Sequence, residues 1–306
     1  MSVQRVIGAL LFYGRFAASF SRIGYRWRRR RWQRVPMDFS GQRWWVTGAS
    51  GGLGEAIARA AAAAGAHVTA VARDPMKLDR LPVGIKKACC DVAVREQVDR
   101  LVAACAASNR QIDVLVNNVG VLLDRHGLTR EGCEISYATN LLSHYQMTES
   151  LIAKGLLAPG ALVINMTSGG AYAAPLRVDA LDARSPVDFD GTTAYALHKR
   201  AQIALNGYWQ SRHSSRGITF YVMHPGWADT SGVQRSLPQF RRWMAPILRD
   251  AAAGADTALW LAATRPRAAE GVWFDRALRP AHVYGFTQQG DPTSALVDKL
   301  ERDLKR

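Results

Sequence analysis

The feature that most restricts this chain is a glycine-rich turn, TGASGGLG (Thr47 to Gly54), between a short apolar run and an alanine-rich stretch. The run before it, Trp44 to Val46, reads as a strand, and Glu55 to Gly65 reads as a helix. Gly48, Gly52 and Gly54 let the backbone turn tightly and approach a pyrophosphate, with Ser50, Gly51 and Leu53 completing the loop. The helix behind the turn offers free N–H groups and the positive end of its dipole to a phosphate. Glycines alone say little, but a strand before and a helix behind them make this a dinucleotide-binding turn.

The alternation continues along the chain. His67 to Ala72 and Ile85 to Val92 read as strands two and three, with a helix over Arg95 to Ala107. Ile112 to Asn118 is a fourth strand, Glu131 to Lys154 a long helix and Ala161 to Ser168 a fifth strand. A helix over Thr193 to Arg212, a sixth strand over Ile218 to Pro225, a helix near Asp250 to Ala263 and a last strand at Gly271 to Phe274 complete the set. Strands alternating with helices imply an α/β fold, a Rossmann-type doubly wound parallel sheet with helices on both faces. No repeat, low-complexity linker or second core interrupts it. The expected organisation is an N-terminal helical arm over residues 1–40 and a single catalytic domain over residues 41–306.

The end of the second strand bears on which nicotinamide dinucleotide binds. An acidic residue there accepts the ribose 2′-hydroxyl, whereas a basic one pairs with a 2′-phosphate. Ala72 stands at the acidic position and Arg73 follows, while Asp74 suits the cap of a following helix. NADP (NADPH) is therefore expected in preference to NAD.

YALHK (Tyr195 to Lys199) puts Tyr and Lys at i and i+4 on one helix face. A free tyrosine has a pKa of about 10, and an ammonium beside it stabilises the phenolate. Tyr195 can then give a proton to a carbonyl oxygen on reduction or take one from an alcohol on oxidation. Ser168, at the carboxyl end of the fifth strand, stands where such sheets present ligands and can hold the substrate oxygen. Asn140, inside the long helix, could host water for a proton relay through Lys199.

Together these marks resemble the short-chain dehydrogenase/reductase (SDR) family over nearly all of Arg43 to Asp275. The residues that carry the resemblance are TGASGGLG, Asp91-Val92, NNVG (Asn117 to Gly120), Asn140, Ser168, YALHK and HPGWADT (His224 to Thr230). The resemblance implies that Asn140, Ser168, Tyr195 and Lys199 form the family's catalytic tetrad, with Tyr195 and Lys199 also touching the cofactor. It implies that Asp91 and Val92 flank the adenine, that Asn117 braces the cofactor-side strand, and that Pro225, Gly226 and Thr230 bind the nicotinamide end. HPGWADTSGV, GADTALWLA (Gly254 to Ala262) and the FDGT stretch before Tyr195 are similar to the member 12-like branch, as are the arm's FYGRF and GY elements. This branch similarity implies an integral arm. Val119 replaces the family's usual alanine and adds bulk near the cofactor. The long separation of Ser168 from Tyr195 leaves an insertion, Gly169 to Thr193, that can loop beside the active site.

Charge sets the arm apart. The chain has 306 residues, 48% hydrophobic, which excludes a disordered protein. Its net charge is +15, of which the nine arginines of residues 1–36, with no acidic residue, supply +9. Val6 to Phe20 is apolar but broken by Arg15, too short for the roughly 18–20 residues of a bilayer span. With the run Arg28 to Arg31 among Tyr25, Trp27 and Trp32, residues 1–36 suit a helix lying peripherally on an anionic membrane. Docking on its own domain or a second subunit, organelle targeting, and nucleic-acid binding are competing readings, the last the weakest. Four cysteines with no CxxC pair, and no His tract at zinc spacing, give no metal site and favour a reducing, cytoplasmic compartment.

The segment after the sixth strand carries Trp227, Val233, Leu237, Phe240, Trp243 and Met244, with Arg235, Arg241 and Arg242. An aromatic lid suits a lipophilic carbonyl or alcohol. The same residues could equally pack on the domain or at a homo-oligomer contact. The expected function is an NADP-dependent oxidoreductase transferring a hydride between nicotinamide and such a substrate, with Tyr195 as general acid/base. The alternative is a catalytically silent nucleotide-binding scaffold or sensor, which would not need all four tetrad groups.

Overall fold

The computed structural model describes residues 16–187, 189–229, 238–267 and 269–306. Its strands are β1 (Arg43–Thr47), β2 (His67–Ala72), β3 (Lys86–Cys89), β4 (Ile112–Asn117), β5 (Leu157–Met166), β6 (Thr219–Met223), β7 (Val272–Phe274) and β8 (Ala277–Arg279). They form one sheet in the order β3-β2-β1-β4-β5-β6-β7-β8. Every pairing is parallel except the last, where β8 returns antiparallel along β7. Strands covered on both faces read as continuous apolar runs, and Val114, Leu115 and Val116 of β4 are accordingly buried.

The helices are α1 (Arg22–Arg29), α2 (Gly52–Ala63), α3 (Pro75–Leu78), α4 (Arg95–Ala107), α5 (Ile135–Tyr137), α6 (Ser143–Ala153), α7 (Gly191–His213), α8 (Pro238–Met244), α9 (Ala251–Thr264) and α10 (Thr293–Leu304). Side chains of α4, α6, α7 and α10 share one core with the sheet, and those of α2 and α9 fill the other face. The strand order reverses between β1 and β4, which opens a crevice at their carboxyl ends.

Three departures from the expected elements matter. The long helix begins only at Ile135, where the Glu134 carboxylate accepts from the backbone of Ser136 and Tyr137, both at 2.8 Å. A π-helical turn at Ala138–Leu142 then separates α5 from α6. Beyond Phe274 the chain adds β8 and α10, whose Leu296, Val297 and Leu300 are buried.

The described part of the basic arm docks on the domain. Phe16, Phe20, Ser21 and Tyr25 are buried, and Phe16 and Phe20 join Tyr172 and Phe274 in a small apolar cluster. A buried arginine holds this contact. Arg249, 1% exposed, donates to both carboxylate oxygens of Asp275 at 2.6 and 3.0 Å. Its remaining donors reach Phe20 O at 2.8 Å, Ser19 O at 3.2 Å and Pro225 O at 3.2 Å. Arg28 of α1 adds a second cation to Asp275 at 2.7 Å. The outer face of α1 leaves Arg22, Ile23, Arg26 and Trp27 exposed. No helix among the described residues is long and apolar enough to cross a membrane.

Candidate active site

The glycine turn closes the β1–α2 connection at the sheet crevice. Gly48 and Gly52 have φ of +66° and +57°, which side chains disfavour. A Cβ on Gly54 would collide with Gly48 O and stand 2.5 Å from Asn118 Nδ2. Asn118 holds the turn from the next strand, donating its amide to Thr47 O at 2.7 Å, while Thr47 Oγ1 accepts from the backbone N–H groups of Asn118 and Val119. At the cap of α2, Gly51 makes no side-chain hydrogen bond to the helix, and a Cβ there would meet open space. The first turn of α2 is thus an open, uncapped helix N-terminus lined by glycine, a donor set that fits the pyrophosphate of a dinucleotide.

Other residues expected near a cofactor fall into two groups. Arg73, just past β2, is exposed and pairs with no carboxylate among the described residues. Asp74 caps α3 instead, accepting from Lys77 N at 3.2 Å. Asp91 accepts from Ala93 N at 3.1 Å, and Val92 is buried in the core beside it. Asn117 turns inward: its amide donates to Thr148 Oγ1 and Asn165 Oδ1, both at 3.0 Å. It braces β4 against β5 and α6, so its side chain is not available to a ligand in the crevice. Thr230, with Val233, Arg235 and Leu237 of the expected lid, lies outside the described residues. Trp227 lies half-buried against the Phe16–Phe20 cluster, while Trp243 is 81% exposed. Among the described residues no His, Cys, Asp and Glu group could hold a metal.

The structure brings Ser168, Tyr195, Lys199 and Asn140 together. Ser168 follows β5, and its hydroxyl accepts from Gly170 N at 3.3 Å. Tyr195 lies near the start of α7, which Asp190 caps by accepting from Thr193 N at 2.7 Å. Thr167 Oγ1 donates to Lys199 O at 2.6 Å and fastens α7 to the end of β5. Burial raises the Tyr195 phenol above its ordinary 10, and a hydrogen bond with Ser168 offsets part of that rise. Lys199 Nζ stands 5.4 Å from the Tyr195 ring centre and is buried, which lowers its pKa to about 7. A Cβ on Gly120 would stand 3.4 Å from that Nζ and 3.6 Å from Asn140 Oδ1, so the last residue of NNVG borders the tetrad.

Asn140 is tied into the chain through both its side chain and its main chain. Its side-chain Oδ1 accepts from Val121 N and its Nδ2 donates to Val121 O, both at 2.7 Å. Its main-chain O accepts from Gln202 Nε2 at 2.7 Å. Gln202 does not stand out in the sequence, where it reads as an ordinary polar residue, and Asn118 is visible there only as part of NNVG.

On the far side of Ser168 lies the docked arm. A Cβ on Gly169 would meet the Phe20 ring at 2.5 Å, and one on Gly170 would stand 3.8 Å from Tyr195. Gly226, at φ +74°, lets Phe20 O and the Arg249 guanidinium come close to the His224–Trp227 turn. Trp227 N donates to Phe20 O at 2.9 Å, and His224 stacks on Phe274 at 4.1 Å. Burial, with Arg249, Arg28 and Arg279 nearby, holds His224 well below the ordinary histidine range, so it stays neutral. The insertion after Ser168 is also tied down, with Leu181 O bound by His198 Nε2 at 2.8 Å and Ala174 O by Arg200 Nε at 3.0 Å.

The chain is similar in sequence and fold to known proteins. Residues 43–180 match the short chain dehydrogenase family. Dehydrogenase/reductase SDR family member 12 of Bos taurus is 34% identical over 291 residues, covering 89% of this chain and 90% of that one. Retinol dehydrogenase 12 of Bos taurus is 26% identical over 227 residues, covering 70% and 71%. The solved structure of 3-ketoacyl-(acyl-carrier-protein) reductase from Brucella melitensis, complexed with NADH, has the same fold. It aligns with a TM-score of 0.61 over 82% of this chain and 100% of that one, at 22% identity. Fold, motif order and a relative matched along almost its whole length agree: the chain belongs to the short-chain dehydrogenase/reductase family, as an oxidoreductase of CH–OH and carbonyl groups similar to SDR family member 12.

Proposed function

We propose that this chain is an NADP-dependent oxidoreductase of a lipophilic carbonyl or alcohol, with Tyr195 as its general acid/base. The observation that carries the reading is the convergence of Tyr195, Ser168 and Lys199 beside an open, glycine-lined helix N-terminus. Bound nicotinamide would supply or accept the hydride. The residues that would hold the dinucleotide are Gly48, Ser50, Gly51, Gly52, Leu53 and Gly54 at the pyrophosphate, Asp91 and Val92 at the adenine, and Pro225, Gly226 and Thr230 at the nicotinamide end. Arg73 would meet the 2′-phosphate, because Asp74 is engaged as a cap and no acid occupies position 72.

Ser168 orients the substrate oxygen with its hydroxyl. Tyr195, protonated at neutral pH, donates its proton to that oxygen as a carbonyl is reduced, and accepts one in the reverse direction. Lys199 lowers the cost of the phenolate by its positive charge. Tyr195→Phe should cut turnover about 10²–10⁴-fold while leaving cofactor affinity, read by fluorescence titration, nearly unchanged. Activity that survives this change would leave the chain a nucleotide-binding scaffold.

The lipophilic substrate is supported by the likeness to a retinol dehydrogenase. The outer face of α1 supports peripheral contact of a cytoplasmic enzyme with an anionic membrane. Ile23 and Trp27 are exposed one turn apart, flanked by Arg22 and Arg26. Sedimentation with vesicles should therefore favour phosphatidylserine over phosphatidylcholine, and Trp27→Asp should weaken it several-fold. Equal binding to both vesicles would count against the membrane assignment.

A further inference from the structure

Lys199 is held from two directions. Its Nζ donates to Met166 O at 2.8 Å, at the end of β5, and to Gln202 Oε1 at 3.1 Å, one turn along α7. Gln202 is 2% exposed, and its other amide atom faces the π turn. Gln202 Nε2 donates to Asn140 O at 2.7 Å and lies 3.0 Å from His144 Nδ1. The orientation of this amide is fixed by its neighbours. An ammonium can only donate and a backbone carbonyl can only accept, so the amide oxygen must face Lys199 and the nitrogen must face Asn140. Donation from the same nitrogen makes His144 Nδ1 an acceptor. His144 Nε2 then carries the hydrogen and donates to Val119 O at 2.9 Å.

The chain Lys199–Gln202–Asn140 O and His144 is continuous, buried and satisfied at each link. Its far end lies on the π turn, whose Asn140 main-chain O accepts from Gln202 of α7. An amide in this place holds a proton donor but does not pass a proton on, so the connection from Lys199 to Asn140 fixes geometry and does not conduct. We propose that Gln202 is a positioning residue for this reaction, clamping the Lys199 ammonium against the π turn through Asn140 O and His144. The proposal rests on the Tyr195–Lys199 chemistry above.

The test is the pH dependence of kcat/KM for wild type, Gln202→Leu and Gln202→Glu, with cofactor affinity and thermal unfolding measured alongside. The titratable groups facing Lys199 are Tyr195 and His198 on α7 and His144 on α6. Burial holds His144 and His198 at about 3 and about 4 and raises the phenol, so none of them titrates near 7. Activity that needs the ammonium should fall as pH rises through the Lys199 pKa, about 7 in this structure. Gln202→Glu puts a carboxylate on the ammonium and should move that limb up by about one pH unit or more. Gln202→Leu should lower kcat on the order of tenfold to a hundredfold, with KM for cofactor little changed. Should the leucine variant fail to fold, the glutamate profile decides. A folded Gln202→Glu enzyme with an unshifted limb, or a folded Gln202→Leu enzyme with wild-type kcat, overturns the assignment. If instead Tyr195→Phe keeps wild-type turnover, the failure lies in the underlying chemistry and not in Gln202.

Discussion

The two ends of the catalytic crevice are built on opposite terms. At the β1–α2 end, the backbone donors of the glycine turn are uncapped, and Arg73 projects into solvent without a carboxylate partner among the described residues. At the β6 end, Phe20 O takes the N–H of Trp227, and Arg249 takes Phe20 O, Ser19 O, Pro225 O and both oxygens of Asp275. One end is arranged to receive charge from outside. The other has already been filled by a segment more than two hundred residues away in the chain. Affinity for the charged phosphates should therefore reside at the first end, and much of the stability at the second.

Arg249→Ala gives the largest contrast. It strands the Asp275 carboxylate, which is 2% exposed, with Arg28 as its one remaining cation among the described residues, and should cost about 3–5 kcal/mol in urea unfolding. Little loss of stability there would mean that the arm is not held by the guanidinium. Arg73→Ala is the counterpart at the open end. Unfolding should stay within about 0.5 kcal/mol of wild type, because the side chain is exposed. NADPH affinity should fall about tenfold or more while NADH affinity barely moves, as expected for a lost charge-assisted contact of about 1.5–3 kcal/mol. Equal losses for both nucleotides would remove the assignment to the 2′-phosphate.

Lys199 lies between the two ends, and it gives the shallowest signal. Its pKa is lowered from 10.5 to about 7 by burial, so between those values the unfolded chain binds a proton that the folded chain does not. The penalty is full below pH 7 and is relieved as pH rises toward 10.5. Stability should rise by at most about 1.4 kcal/mol per pH unit in that window. Above pH 10 buried tyrosines such as Tyr25, raised to about 12, pull the other way. Lys199→Met should flatten the rise between pH 7 and 10. A slope equal to wild type in that variant would place the titration elsewhere.

Much of this molecule is legible in its sequence, for identifiable reasons. β2 and α4 fall on the residues that the pattern picks out, because strand and helix periods are unbroken there. Ser168, Tyr195 and Lys199 can be found because strand order alone places them on one edge. The π turn cannot be read from the pattern, since Ala138 to Leu142 are all buried and an extra residue leaves the apolar run uninterrupted. Gln202 is hidden for a related reason: a glutamine on a helix reads as a surface residue until a neighbouring carbonyl is turned toward it. The arm's contacts are not legible in its composition. Nine arginines without an acid suggest an outside partner, yet Arg28 meets Asp275 within the same chain.

That last pairing has a consequence for biosynthesis. Arg28 and Asp275 are separated by 247 positions. At about 5–20 residues per second, the arm's docking partner emerges from the ribosome roughly 12 to 50 s after the arm itself. Until then the arm lacks the Asp275 carboxylate that binds Arg28 and Arg249, although β1 to β5 and their helices are already made. The arm can therefore lock only once β7 and the turn carrying Asp275 have been made. Any condition that stalls synthesis before Asp275 would leave a nearly complete sheet carrying a loose, positively charged, aromatic leader.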